Sequence, residues 1–228
     1  MKDKKFVYIR NFILIFIFFY SYVLQYIPFI LFHANVSDYQ GNTGLALLLS
    51  TFSSLIVFGI ILCMYRNDIR KELGVFFQKF RYNIGIGLAC WGAGLLMMFT
   101  ANLFFIIVFH SEGANNEIIV RSMMHEGPIV MLLNAVFLAP FIEEFVFRKT
   151  LKDIISKPVI YIISSFLAFG IAHVYGMASS WMDWLYVIPY GVLGGAFALA
   201  YTKTNTVFTS ITFHMIHNLL VFMIVIFL

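Results

Sequence analysis

The chain has 228 residues, of which 61% are hydrophobic and only 11% are charged. That balance excludes a soluble domain of this size and indicates an integral membrane protein, with the lipid bilayer as its surroundings. A net charge of +4, carried mainly by short basic loops, gives no signal of nucleic-acid binding. The two cysteines give neither a disulfide framework nor a CxxC motif, so no cysteine chemistry is expected.

Seven apolar segments follow one another, each close to the ~20 residues that a helix needs to cross a bilayer. They cover about residues 7–32, 44–64, 84–108, 127–150, 158–175, 184–202 and 206–228. The first is too long for the core of a signal peptide, so we predict an uncleaved transmembrane helix there. The pattern predicts an all-α fold, a polytopic membrane bundle of about seven transmembrane helices, with the fifth segment the shortest.

Lysine and arginine concentrate in alternate loops, which predicts a cytoplasmic N-terminus and an outer C-terminus. We divide the chain into residues 1–126, with three transmembrane helices and a cytoplasmic basic loop at 65–83, and residues 127–228, which hold the polar motifs. Part of that loop, Lys71 to Asn83, mixes phenylalanines with basic residues. Both an amphipathic helix on the inner membrane face and an ordinary loop remain open for it.

Ionisable residues inside the apolar segments concentrate in segments four, five and seven. Segment four carries Glu143, Glu144 and Arg148, segment five carries His173, and segment seven carries His214 and His217. Each charged group costs about 2.5–3.5 kcal/mol on membrane-insertion scales. Because packing alone does not require such groups, this concentration is the main indication of function.

The spacing of these residues predicts that several of them meet. Pro158 suits the first turn of a returning helix, and Glu143 and His173 each lie fifteen residues from it. At ~1.5 Å per residue both are ~22 Å from the turn, so an antiparallel hairpin would place them at matching depth. His214 lies at a comparable depth in segment seven, with Asn218 one turn further on. We therefore predict one cavity shared by these four residues.

Within segment four, Glu144 and Arg148 have the i,i+4 spacing and the order that favour an ion pair. Glu143 projects about 100° away from its neighbour and is left for chemistry. Gly191, Gly194 and Gly195 in segment six predict close helix packing.

The polar residues also form three motifs, Glu143-Glu144-x-x-x-Arg148, Phe169-x-x-x-His173 and His214-x-x-x-Asn218. Their set and order resemble those of the CPBP intramembrane proteases, the CAAX proteases and bacteriocin-processing enzymes also called Abi proteins. The resemblance covers about residues 127–220 and is specific because all three motifs occur in order on separate segments.

The resemblance implies an intramembrane endopeptidase that cleaves a membrane-embedded or membrane-associated peptide or protein, with residues 127–228 as its catalytic core. The family pattern assigns water activation to Glu143 and His173, and oxyanion stabilisation to His214 and Asn218. Glu144, Arg148 and Phe169 are supporting residues, and no cofactor is expected. The small size is similar to the bacterial branch, which implies the plasma membrane and duties in bacteriocin self-immunity or peptide maturation.

Three alternatives stay open at this point. Glu143, His173 and His214 would also form a His₂Glu zinc set with one free position. The chain could instead be a non-catalytic immunity or regulatory protein that acts by binding. Intramembrane Glu and His residues also serve ion-coupled transporters, although no inverted repeat supports that interpretation.

Overall fold

The computed structural model describes residues 4–24, 43–110 and 113–227. Over these residues the chain is helical and contains no strand, which confirms the all-α class. The end predicted for the first apolar segment, residues 25–32, lies outside the described residues.

Nine helices of twelve or more residues are described over these ranges, and a short 3₁₀ turn, Asp183–Tyr186, directly precedes the eighth. They are α1 (Lys4–Leu24), α2 (Thr43–Met64), α3 (Arg66–Gln78), α4 (Phe80–Phe109), α5 (Asn115–Glu126), α6 (Pro128–Ile154), α7 (Pro158–Val174), α8 (Val187–Thr204) and α9 (Val207–Phe227). Among the described residues, five helical stretches, in α2, α4, α6, α8 and α9, are long and apolar enough to cross a bilayer. Helix α7 is apolar but shorter, as predicted for the fifth segment. The protein is therefore a polytopic membrane protein, while the count of seven and the cytoplasmic N-terminus stay predictions.

The connection predicted as a basic loop at 65–83 is helical. Helix α3 fills most of it, and only Lys79 separates α3 from α4. Glu72 and Phe76 on α3 are buried, whereas Leu73 and Phe77 are exposed. The ordinary-loop alternative is therefore wrong; the position of α3 on the inner membrane face stays a prediction.

By their contacts the residues group into two units, neither of which is continuous along the chain. The first comprises Met1–Ile69, Arg121–Val146 and Met215–Leu228, and the second comprises Arg70–Val120 and Phe147–His214. The division at residue 126, which was based on motif content, stays a prediction.

In the first unit, aromatic contacts join α2 to α6. The rings of Phe58 and Phe141 are 4.8 Å apart, and those of Tyr65 and Phe145 are 5.4 Å apart. The Tyr65 hydroxyl donates to Asn11 on α1 at 2.8 Å, and the guanidinium of Arg10 lies 3.9 Å from the Tyr65 ring. Helix α1 is thus tied by buried polar contacts to Tyr65, the residue that directly follows α2.

In the second unit, glycines allow α8 to pack closely against α7. A Cβ at Gly191 would lie 2.9 Å from the Phe166 carbonyl oxygen, and one at Gly194 would lie 3.1 Å from the Ser165 carbonyl oxygen. A Cβ at Gly195 would make only ordinary contacts, at 3.7 Å or more. The predicted close packing is therefore confirmed at Gly191 and Gly194, whereas Gly195 does not require it.

Helix α6 is not a uniform α-helix. Leu132–Leu138 and Phe145–Lys149 have π geometry, with the α-helical turn Ala139–Glu144 between them. Such wide turns occur frequently at functional sites. The two adjacent glutamates therefore end an α-helical turn, and Arg148 lies in the following π segment. Because the uniform rise and rotation used in the depth count do not hold through this segment, the matching depth of Glu143 and His173 stays a prediction.

Candidate active site

In the second unit, the ring of Phe169 on α7 contacts residues of all three motifs. Phe169 is only 2% exposed. The Arg148 guanidinium carbon lies 4.2 Å from the centre of this ring, the His173 ring is 4.2 Å away, and the edge-on His214 ring is 5.7 Å away. Phe169, which the motifs suggest only as a supporting residue, is therefore the common neighbour of the other three.

The orientation of His173 determines which of its nitrogens is basic. Its Nδ1 lies 2.9 Å from the carbonyl oxygen of Phe169, one helical turn earlier. A carbonyl oxygen can only accept, so Nδ1 carries the proton, and Nε2 of the neutral ring is the base. The His173 ring also stacks on Tyr190 of α8, with centroids 4.7 Å apart and planes 26° apart. The imidazole thus contacts two aromatic rings, and a hydrogen bond to the backbone sets its tautomer.

His214 lies deeper in the protein than His173. It is 4% exposed, and its ring stacks on Phe197 of α8 at 5.0 Å with an interplanar angle of 26°. The Arg148 guanidinium also lies over Phe197, at 5.5 Å. A buried cation over two aromatic faces is stabilised by their negative quadrupoles. We call Arg148, Phe169, His173, Tyr190, Phe197 and His214 the motif cluster.

Sequence reasoning missed the contribution of α8 to this cluster. Tyr190 and Phe197 are seven residues apart, which places them two turns apart on one face of the helix. Gly194 lies between them on that face, and a Cβ there would lie 2.9 Å from the Phe169 Cβ. The signal in the sequence is the spacing of these residues, two aromatic residues seven positions apart with a glycine between them on one helical face.

In the first unit, Glu143 and Glu144 have different surroundings. Glu144 is completely buried, whereas Glu143 is partly exposed and borders a cavity of about 140 Å³. The other lining residues come from α1, α2 and α6 and are Phe18, Ser54, Val57, Ala139 and Ile142. Glu143 therefore reaches open space inside a largely apolar surrounding, where a carboxylate is a stronger hydrogen-bond partner than in bulk water.

Asn218, also in the first unit, bonds to the π-helical part of α6. Its Nδ2 donates to the Ala135 carbonyl oxygen at 2.7 Å, and Ala135 lies in the π segment Leu132–Leu138. An amide group carries two N–H bonds, so this contact leaves the second for another acceptor. The Asn218 amide is therefore oriented by the backbone of a second helix.

Residues 125–220 match the family model described as type II CAAX prenyl endopeptidase Rce1-like. This region is similar to the Rce1-like family over less than half of the chain. The match contains all three motifs, so the resemblance to the CPBP family is confirmed, and the family implies a membrane protease with a membrane-embedded protein substrate. Searches of curated proteins and of solved structures found no match.

The motif residues of the Rce1-like region fall into both units. Arg148, Phe169, His173 and His214 are together in the second unit, whereas Glu143, Glu144 and Asn218 belong to the first. The shared cavity for Glu143 and His173 and the ion pair of Glu144 with Arg148 therefore stay predictions.

The same division leaves the metal question open. Within neither unit do the described residues gather three His, Cys, Asp or Glu side chains that would hold a metal ion. The zinc set suggested by the sequence, Glu143 with His173 and His214, takes ligands from both units and stays an untested alternative.

Proposed function

We propose that this protein is an intramembrane endopeptidase in which Glu143 and His173 activate the water that attacks a peptide bond. The observation that carries the proposal is the ordered set of three motifs inside the Rce1-like match. The basic Nε2 of His173 and the partly exposed carboxylate of Glu143 support these roles, because water activation needs an acceptor for its proton.

The proposed reaction proceeds in two steps. Glu143 takes a proton from the water while His173 Nε2 accepts a hydrogen bond from it, and the water oxygen forms a bond to the peptide carbonyl carbon. Negative charge then collects on the carbonyl oxygen, where His214 and Asn218 donate hydrogen bonds. The carbon–nitrogen bond breaks, and the leaving amine takes the proton from Glu143.

The substrate that fits this proposal is a membrane-embedded or membrane-associated peptide or protein. The cavity beside Glu143 has about the size of one that admits a benzene ring, so a single apolar side chain next to the cut bond would fill it. Bacteriocin self-immunity or peptide maturation in a bacterial plasma membrane is the duty that we propose for such an enzyme.

The test is a comparison of membrane-associated peptides from cells expressing wild type or Glu143→Gln. Glutamine keeps the shape but cannot take the proton, so at least one cleavage product should fall a hundredfold or more while its precursor accumulates. Glu126→Gln, at an exposed glutamate, is the matched control and should cleave like wild type. Identical peptide profiles for wild type and Glu143→Gln would refute the proposal.

The same strains separate the proposal from the binding alternative. A phenotype that survives both Glu143→Gln and His173→Ala, at normal protein abundance, would favour a non-catalytic immunity or regulatory protein. His125→Ala, at an exposed histidine, is the control for the loss of an imidazole.

We propose that the reaction needs no metal. Purified protein should contain less than one zinc ion per ten chains and should cleave equally well after treatment with a chelator. One zinc per chain that disappears in both His173→Ala and His214→Ala would favour the zinc alternative instead.

A further inference from the structure

One carboxylate outside the motif cluster is buried in the second unit and contacts three helices. Glu72 on α3 is 8% exposed. Its Oε1 accepts a hydrogen bond from the Tyr201 hydroxyl at 2.9 Å and lies 3.4 Å from Lys149 Nζ. Its Oε2 accepts the backbone N–H of Val207 at 2.8 Å. Each oxygen of this carboxylate thus has a partner on another helix.

The contact with Val207 is a cap on the start of α9. Val207 is the first residue of that helix, where backbone N–H groups have no partner within the helix and a negative charge is favourable. A second bond runs alongside, because the buried Thr206 hydroxyl donates to the Glu72 backbone carbonyl at 2.8 Å. Helix α3 therefore holds the beginning of α9 by two bonds from one residue.

The same carboxylate holds two other helices close to the motif cluster. Lys149 directly follows Arg148, whose guanidinium lies over Phe169. Tyr201 lies four residues after Phe197 and hence on the same face of α8. The contact at Lys149 is thus one residue from Arg148, and the contact at Tyr201 is one helical turn from Phe197.

The position of His214 depends on the end of α9 that Glu72 caps. His214 lies seven residues after Val207, which is two helical turns and about 10 Å along the axis, on nearly the same face. A shift or rotation at Val207 is therefore passed directly to the imidazole. Displacements of about 1 Å in a reacting group are enough to cost a hundredfold in rate.

We propose that Glu72 is a positioning residue that sets the depth and rotation of the first two turns of α9 and thereby places His214. The inference rests on the proposed function, because it takes His214 to be a donor to the oxyanion. Glu72 acts through the helix and touches neither the water nor the substrate.

The test uses the full chain in nanodiscs of phosphatidylethanolamine and phosphatidylglycerol, with Glu72→Gln as the principal variant. Glutamine has the shape of glutamate but only one oxygen for the two donors, Tyr201 and Val207. Asp153→Asn is the matched control. It removes a carboxylate that pairs with the same Lys149, at 2.6 Å, and it leaves the hydrogen bond between the Glu72 carboxylate and the Val207 N–H in place.

Two measurements are made on each variant. Hydrogen exchange followed by mass spectrometry reports the opening of residues 207–214, and cleavage of the Glu143-dependent peptide is measured over a range of concentrations. For Glu72→Gln, exchange over 207–214 should quicken at least tenfold, and the maximal cleavage rate should fall at least tenfold with the half-saturating concentration unchanged. Asp153→Asn should stay within twofold of wild type in both measurements.

Wild-type exchange and cleavage in Glu72→Gln would overturn the inference, as would equal losses in Glu72→Gln and Asp153→Asn. If Glu72→Gln does not fold, Thr206→Val keeps the test decisive. It removes the hydroxyl that donates to the Glu72 carbonyl at 2.8 Å and that accepts the Phe208 backbone N–H at 3.3 Å. It should speed exchange over 207–214 and lower cleavage, and an unchanged variant overturns the inference. The complete absence of a Glu143-dependent product would instead refute the proposed function, a result distinct from each of these.

Discussion

Replacing Gly191 with alanine tests how closely α7 and α8 pack in the second unit. The added methyl group would lie 2.9 Å from the Phe166 carbonyl oxygen and 2.9 Å from two carbons of the Phe166 ring. The ring can rotate, but the carbonyl oxygen belongs to the backbone of α7. The methyl group is therefore accommodated only if the two helices move apart.

Two opposing free-energy contributions determine the size of the effect. Alanine is favoured over glycine inside a helix by about 1 kcal/mol, whereas overpacking a well-packed site costs about 1–3 kcal/mol. Because the obstacle includes backbone, we take the upper part of that range. The net loss is about 1–2 kcal/mol in the free energy of unfolding, equivalent to a fall in Tm of about 2–8 °C for a chain of this size.

Gly195→Ala, one turn further along α8, is the matched control. Its methyl group would meet Phe166 and Ile162 at 3.7–3.8 Å, which is ordinary contact. The propensity gain then dominates, and Tm should rise by about 1–4 °C. Thermal unfolding of both variants in the same detergent measures the difference. A Gly191→Ala protein as stable as Gly195→Ala would refute the close packing described for these helices.

Three further substitutions test individual side chains, two within the second unit and one within the first. Arg148→Lys loses the planar stacking on two rings and should lower stability by about 1–2 kcal/mol, whereas Arg81→Lys, at an exposed site, should leave thermal unfolding unchanged. Tyr201→Phe removes a hydrogen bond to a carboxylate and should cost about 1.5–3 kcal/mol; Tyr82→Phe, at an exposed tyrosine, is its control in the same unfolding assay. Asn218→Ala should lower peptide cleavage at least tenfold, and retention of full cleavage would exclude this side chain as an oxyanion donor.

Composition and motif spacing predicted much of the fold. A chain so rich in apolar residues has few ways to satisfy its backbone in lipid other than by helices, and α7 begins at Pro158 as the proline predicted. Helix α4 begins at Phe80, four residues before the apolar segment that predicted it. Its first turn mixes Phe80 and Tyr82 with the polar Arg81 and Asn83, so hydropathy alone placed the boundary too late.

The features that the sequence did not predict depend on distant partners. Glu72 stands among basic residues and resembles an ordinary solvated side chain, because the groups that bury it, Tyr201 and Val207, follow about 130 residues later. The π segment of α6 that holds Ala135 is bonded by Asn218, 83 residues away. Tyr190 and Phe197 are two of 39 Phe and Tyr residues, 27 and 12, and composition gives no reason to single them out.

The π segment Phe145–Lys149 has a consequence for how this chain tolerates changes in length. Inserting one residue into a regular α-helix turns everything beyond it by about 100°, which would point Arg148 away from its rings. A π turn already accommodates one residue more than an α turn. Deleting a single residue from this π segment would let the helix tighten to regular α geometry, so the side chains beyond it should keep their directions. The same deletion in a regular part of α6 would turn those side chains away from their partners.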